Sequence, residues 1–120
     1  MSRAFIKEPD GDEVADDLPE RKISSHPNYV TPRGQQLLQE QLQQAEAERQ
    51  RLQGKEEMSA KQALACVERD LRYLRQRVTQ SILVIPPDNP SEQVCFGMWI
   101  EVQEGETIRK FQIVGVDEAL

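Results

Sequence analysis

A single histidine, two cysteines and no long apolar run are what this sequence has least of, and each scarcity excludes something. With one His, and with Cys66 and Cys95 in segments of different character and not spaced as ligands, a zinc site is not expected and the cysteines read as two reduced thiols. No Cys–His or Ser–His–Asp set and no phosphate-binding loop can be assembled, so no enzyme, no catalytic residue and no cofactor is expected. No apolar run approaches the ~18 residues of a membrane span, and the N-terminus lacks a signal peptide's apolar stretch. The expectation is a soluble, cytoplasmic chain with no membrane partner. A hydrophobic content of 38% in 120 residues is low for a large core and suits a helical element with a small domain attached.

What is abundant is charge, unevenly placed. Residues 1–30 hold four basic and seven acidic side chains, and residues 86–120 two and seven, whereas residues 31–85 hold nine and seven. The middle alone is net basic, so a local approach to phosphates by that segment is open while bulk nucleic-acid binding by the whole chain is not expected.

Residues 1–28 are acidic and punctuated by Pro and Gly, with Asp10, Asp12, Glu13, Asp16 and Asp17 clustered, and read as a flexible acidic arm. Residues 29–85 read as a helical hairpin. Thr31 suits a helix cap and Pro32 the first helical position, where its missing N–H costs nothing. Leu38, Leu42, Ala45, Arg49 and Leu52 then recur at alternating steps of four and three, which predicts a helix over about 32–53. Gly54 and Lys55-Glu56-Glu57 break the pattern, and Ser59 offers a new cap. Leu64, Val67, Leu71, Leu74, Val78 and Ile82 predict a second helix over about 59–84, antiparallel to the first in a coiled-coil hairpin. At 1.5 Å per residue each arm reaches roughly 30 Å. The hairpin is either a probe or a dimerisation rod.

Pro86-Pro87 ends the helix, and Asp88-Asn89-Pro90-Ser91 reads as a loop. Residues 86–120 then read as β structure: a strand over 94–102, a turn at Glu104-Gly105-Glu106 and a second strand over 108–116. Two strands alone are marginal in water, and Phe96, Trp99 and Phe111 would leave apolar surface exposed, so self-association or partial disorder is expected here.

Thr31-Pro32-Arg33-Gly34, Arg72-Tyr73-Leu74, the exit into a proline-containing loop, then Phe96-Gly97-Met98-Trp99-Ile100-Glu101-Val102 and Phe111-Gln112-Ile113-Val114-Gly115 together resemble the GreA/GreB family of transcription elongation factors. The resemblance runs from about Tyr29 onward and marks Thr31, Pro32, Phe96, Gly97, Trp99, Phe111 and Gly115 as structural positions. It implies an α+β fold, a helical hairpin followed by an FKBP-like β domain that looks incomplete. It implies a non-enzymatic accessory factor whose hairpin enters the secondary channel of bacterial RNA polymerase. In that family acidic residues at the hairpin tip help hold a catalytic Mg²⁺ and a water for transcript cleavage, which suits the preference of hard cations for carboxylate oxygen. Here only Glu56 and Glu57 offer adjacent carboxylates at the tip, without the family's Asp and Arg-Glu-Asn-Ala-type run. The arms look about two turns shorter, roughly 10 Å of reach, so an RNA-polymerase-binding regulator is expected rather than a cleavage factor. A short-hairpin regulator of the nucleoside diphosphate kinase type and a plain oligomerisation module are the alternatives.

Lys61, Arg69, Arg72, Arg75 and Arg77 outnumber Glu68 and Asp70 on the second helix. At 100° per residue the arginines wrap the side away from the Leu71/Leu74/Val78 seam instead of forming one stripe. Two readings stand: a solvated helix face, or the surface that meets polymerase or nascent RNA, since in the family a basic patch on the hairpin contacts the transcript. Tyr73, on the same side, is expected to pack against the globular part.

Overall fold

The computed structural model describes residues 18–88 and 92–119. The acidic cluster before residue 18, the Asn89-Pro90-Ser91 part of the loop and Leu120 lie outside them. The elements run β1 (Asn28–Val30), α1 (Pro32–Leu52), α2 (Met58–Gln80), β2 (Ser81–Leu83), β3 (Trp99–Glu104) and β4 (Thr107–Gln112). This is an α+β fold, a helical hairpin followed by a small β unit. It divides into two compact units: residues 18–23 with 42–75, and residues 24–41 with 76–119, so each helix contributes to both.

α1 starts where its cap allows. The Thr31 carbonyl accepts the Gln35 N–H at 2.9 Å, and the Thr31 hydroxyl oxygen accepts the Gly34 N–H at 3.0 Å, satisfying one of the first-turn donors that a helix leaves unpaired. α2 starts one residue earlier than the sequence suggests. Glu57, not Ser59, holds the cap position, its carbonyl taking the first helical hydrogen bond from the Lys61 N–H at 3.0 Å. Gly54, at φ +81°, turns the chain between the helices with open space around it.

In the helical unit the buried side chains are Leu52, Ala60, Ala65, Leu71 and Leu74, the last two on the predicted seam. Arg49 occupies a seam position of α1 and reaches Glu68 of α2 at 3.7 Å, an ion pair across the two arms.

The second helix ends at Gln80, four residues short of the expected boundary, and Ile82 belongs to a strand. The β-branched run at Ile82, Val84 and Ile85 disfavours helix and favours extended backbone. The Ser81 hydroxyl donates to the Val78 carbonyl at 2.8 Å, closing the helix. β1 and β2 then pair in parallel, with Tyr29 opposite Ile82, and the Val84 N–H donates to the Val30 carbonyl at 2.9 Å.

β3 and β4 pair antiparallel, Ile100 opposite Phe111 and Glu104 opposite Thr107. Gly105 alone of the two loop residues has positive φ, +62°, the sign pattern of a type II′ turn. The first strand begins later than expected because residues 95–98 form a turn: the Met98 N–H donates to the Cys95 carbonyl at 3.1 Å, and Gly97 sits at φ +87° against Pro86. Trp99 (70% exposed) and Phe111 (47%), expected as structural residues, project largely into solvent, as does Ile108. Phe96 does pack, its ring centroid 6.0 Å from that of Tyr29.

Candidate functional site

Residues Gly115–Ala119 make a turn in which the Gly115 carbonyl accepts the N–H groups of both Glu118 and Ala119 at 3.1 Å. The turn aims two carboxylates at the foot of the helices. Glu118 accepts the Thr31 hydroxyl at 2.5 Å through Oε1 and pairs with Arg33 Nη1 at 3.3 Å through Oε2, so an anion lies at the N-terminus of α1, where the helix dipole favours it. Gly34 makes this possible, because a Cβ there would stand 2.8 Å from that Oε1. A Cβ on Gly115 would stand 2.5 Å from the Tyr29 carbonyl oxygen, so glycine is what admits the turn.

Asp117 reaches Arg77. Arg77 Nε donates to Asp117 Oδ2 at 2.7 Å, Nη2 donates to Asn28 Oδ1 at 2.8 Å, and Asn28 Nδ2 donates back to the Arg77 carbonyl at 2.9 Å. The Arg77 side chain is 4% exposed. This corrects the sequence reading of Arg77 as a surface contact for polymerase or nucleic acid, since its guanidinium is engaged in an internal network. Beside it a cavity of about 190 Å³ opens against Tyr29, Phe96 and His26, smaller than the ~300 Å³ at which small-molecule pockets begin.

The other basic candidates remain on the surface. Lys61, Arg72 and Arg75 are exposed and Arg69 is half-buried. Arg72 is not bare, because residues of the supposed flexible arm lie along α2. Arg72 forks onto Glu20, Nε to Oε2 at 2.8 Å and Nη2 to Oε1 at 2.5 Å. Arg21 places its guanidinium 3.8 Å from the centre of the Tyr73 ring and donates to Asp70 at 3.3 Å. Arg69 also pairs with Asp70, at 3.4 Å. The hydrogen bond from Arg72 holds the Glu20 carboxyl below its usual range against a weaker effect of desolvation, helped by the fields of Arg72 and Arg69. The same bond raises Arg72. Tyr73 thus packs against Arg21. Sequence inspection missed this because Glu20 and Arg21 sit in a polar stretch without periodicity.

Glu56 and Glu57 are exposed on the connection between the helices. Among the described residues no three His, Cys, Asp or Glu side chains gather as a metal site, so these two carboxylates can supply at most part of a cation's ligands. No described helix is long and apolar enough to cross a membrane.

These features define a class of protein: a helical hairpin whose foot is clasped by carboxylates, with a small β-hairpin and a basic outer face on the second helix. Over 60 residues, 48% of the chain, the sequence is 42% identical to the transcription elongation factor GreB of Pseudomonas putida KT2440. Over 59 residues it is 36% identical to GreB of Pseudomonas syringae pv. tomato DC3000. The matched stretches span 36% and 38% of those proteins, so the chain covers little more than a third of the curated relatives it matches. No protein-family model matches the chain, and no solved structure matches it.

Proposed function

We propose that the chain is an accessory factor of RNA polymerase that regulates transcript elongation by inserting its helical hairpin into the secondary channel. The observation that carries this reading is the 42% identity of about half the chain to an elongation factor named GreB. The physical features agree with it. Helices of 21 and 23 residues give a probe of roughly 30 Å, and Lys61, Arg69, Arg72 and Arg75 supply the positive charge that an anionic channel or nascent RNA would meet. Arg77 is left out of this set because it is buried.

The factor acts by occupancy. Glu56 and Glu57 offer two oxygen donors to a Mg²⁺ held chiefly by the polymerase, fewer than a hard cation takes from a site of its own, so cleavage stimulation is not the main activity. Association of two copies through the exposed β-hairpin is a further partner reading, resting on Trp99 and Ile108.

The test is binding of the full chain to core RNA polymerase, with competition by a ligand known to occupy the secondary channel. Saturable binding lost on competition is expected. Absence of binding would leave an oligomerisation module as the better reading. Transcript cleavage by stalled polymerase, compared with Glu56→Ala/Glu57→Ala, tests the tip separately; equal cleavage removes any metal role for these carboxylates.

A further inference from the structure

We propose that residues 18–23 are a built-in competitor for a nucleotide-binding face on α2, in which Arg72 receives a backbone phosphate and the Tyr73 ring receives a base. The inference deepens the reading above and rests on it for RNA as the ligand. The two residues that cover this face have the chemistry of a nucleotide. Glu20 gives Arg72 a bidentate anion through both oxygens, the fork geometry with which a guanidinium also grips phosphate. The next residue, Arg21, lays a flat, delocalised cation over Tyr73 at 3.8 Å, where a base would stack on an aromatic platform. Asp70 accepts from the edge of that cation at 3.3 Å and can also accept, more weakly, from the exocyclic amino group of cytosine, adenine or guanine. Arg69, paired with Asp70 at 3.4 Å, adds a second positive charge beside the phosphate position.

The cover is removable. The side chains of Arg21, Asp70, Arg72 and Glu20 are 41%, 37%, 53% and 61% exposed, and ion pairs so placed hold weakly and are screened by salt. Leu18 and Ile23 at the ends of the segment are half-buried, short of the full burial of Leu71 and Leu74. A strand of RNA presented at high local concentration, as at a polymerase, can displace such a strap by offering Arg72 and Tyr73 the same two contacts.

The experiment measures binding of a fluorescent oligocytidine RNA to the full chain by anisotropy at low salt, for wild type and for Glu20→Ala/Arg21→Ala. That double substitution removes one charge of each sign, so the net charge is unchanged and a general electrostatic gain is excluded. Binding about 10-fold tighter in the double variant is expected, the scale of one exposed stacking platform. The gain should vanish when Arg72→Ala or Tyr73→Leu is added. Equal affinity of wild type and double variant, including no binding by either, overturns the proposal, as does a gain that survives loss of both Arg72 and Tyr73. Polymerase binding is measured in parallel. If the chain binds polymerase without the RNA gain, the strap fails and the function stands; if the RNA gain is seen without polymerase binding, the strap stands and the function fails.

Discussion

The two units of this molecule are held by different physics. In the helical unit the buried set is wholly apolar, Leu52, Ala60, Ala65, Leu71 and Leu74, and charged pairs such as Glu48–Arg51 and Arg49–Glu68 lie at the surface. In the other unit Asn28, Thr31 and Arg77 are buried beside Val30 and Leu38, while Trp99, Ile108 and Val116 are exposed. The first unit keeps its ion pairs toward the surface, within reach of partners; the second buries one arginine, Arg77, against Asn28 and Asp117. An arginine's meaning here therefore depends on which unit it stands in, although Arg72 and Arg77 are little more than one helical turn apart.

The sharpest way to break that comparison is to remove each arginine in turn. Arg77→Ala leaves Asp117, 14% exposed, and Asn28 without the guanidinium between them, and loss of one partner of a buried pair costs about 3–5 kcal/mol. Thermal unfolding followed by circular dichroism should show a large loss of Tm for Arg77→Ala and almost none for Arg72→Ala. If the two variants melted together, the division into internal and surface charge would be wrong.

Leu71→Ala probes the apolar side of the contrast. At 1% exposed, Leu71 is among the most deeply buried side chains, and truncation of such a leucine costs about 2–5 kcal/mol. Urea unfolding monitored at the helical signal should show the lowered midpoint with little change in slope. A shift no larger than that of an exposed substitution would mean that the seam does not hold the arms.

What could be read from sequence follows the same line. Elements set by local chemistry were legible: Thr31-Pro32 as a helix start, the three-four spacing through Leu71 and Leu74, and Gly105 as a turn. The parallel pairing of β1 with β2 was not, because strands of three residues carry no usable period and Ile82 fits the preceding helical spacing as well as it fits a strand. Arg77 looked like a solvated cation because its partners Asn28 and Asp117 stand 49 and 40 residues away in sequence, and nothing in either neighbourhood announces the meeting. Glu118 meeting Thr31 across 87 residues is the same case. On the candidate face, the basic residues were visible by composition, but their cover by Glu20 and Arg21 was hidden in a stretch that reads as a tail.

The helix cap stands between the two regimes, being local in sequence but completed from afar. Thr31→Ala deletes both the acceptor for the Gly34 N–H and the donor to Glu118, a loss of about 1–2 kcal/mol for a cap of this kind. Thr31→Ser should recover most of it. Gly34→Ala tests the distant half, since its Cβ would meet the Glu118 carboxylate at 2.8 Å and push it away while standing in ordinary contact with the Thr31 hydroxyl at 3.4 Å, against the gain of about 1 kcal/mol that alanine brings to a helix. A Gly34→Ala variant more stable than wild type by the full propensity gain of about 1 kcal/mol would show that Glu118 contributes nothing to holding the helix.

The smallest expected effect is a pH dependence confined to the strap. The Glu20 carboxyl is held below its usual range, first by the hydrogen bond from Arg72. A carboxyl depressed in the folded state contributes its contact fully above its ordinary value and loses it as pH falls through the depressed one. The strap should therefore stay in place through the neutral range and lift only in acid below the range of a free glutamate. Carbon-detected titration of Glu20 should give a lower midpoint in wild type than in Arg72→Gln, with the Tyr73 ring signals moving in step as Arg21 leaves. Because Glu20 is at the surface, added salt should raise the wild-type midpoint toward that of the variant. Coincident midpoints at low salt would show that the fork between Arg72 and Glu20 does not form in solution, and the contrast between engaged and available arginines would have to be drawn without it.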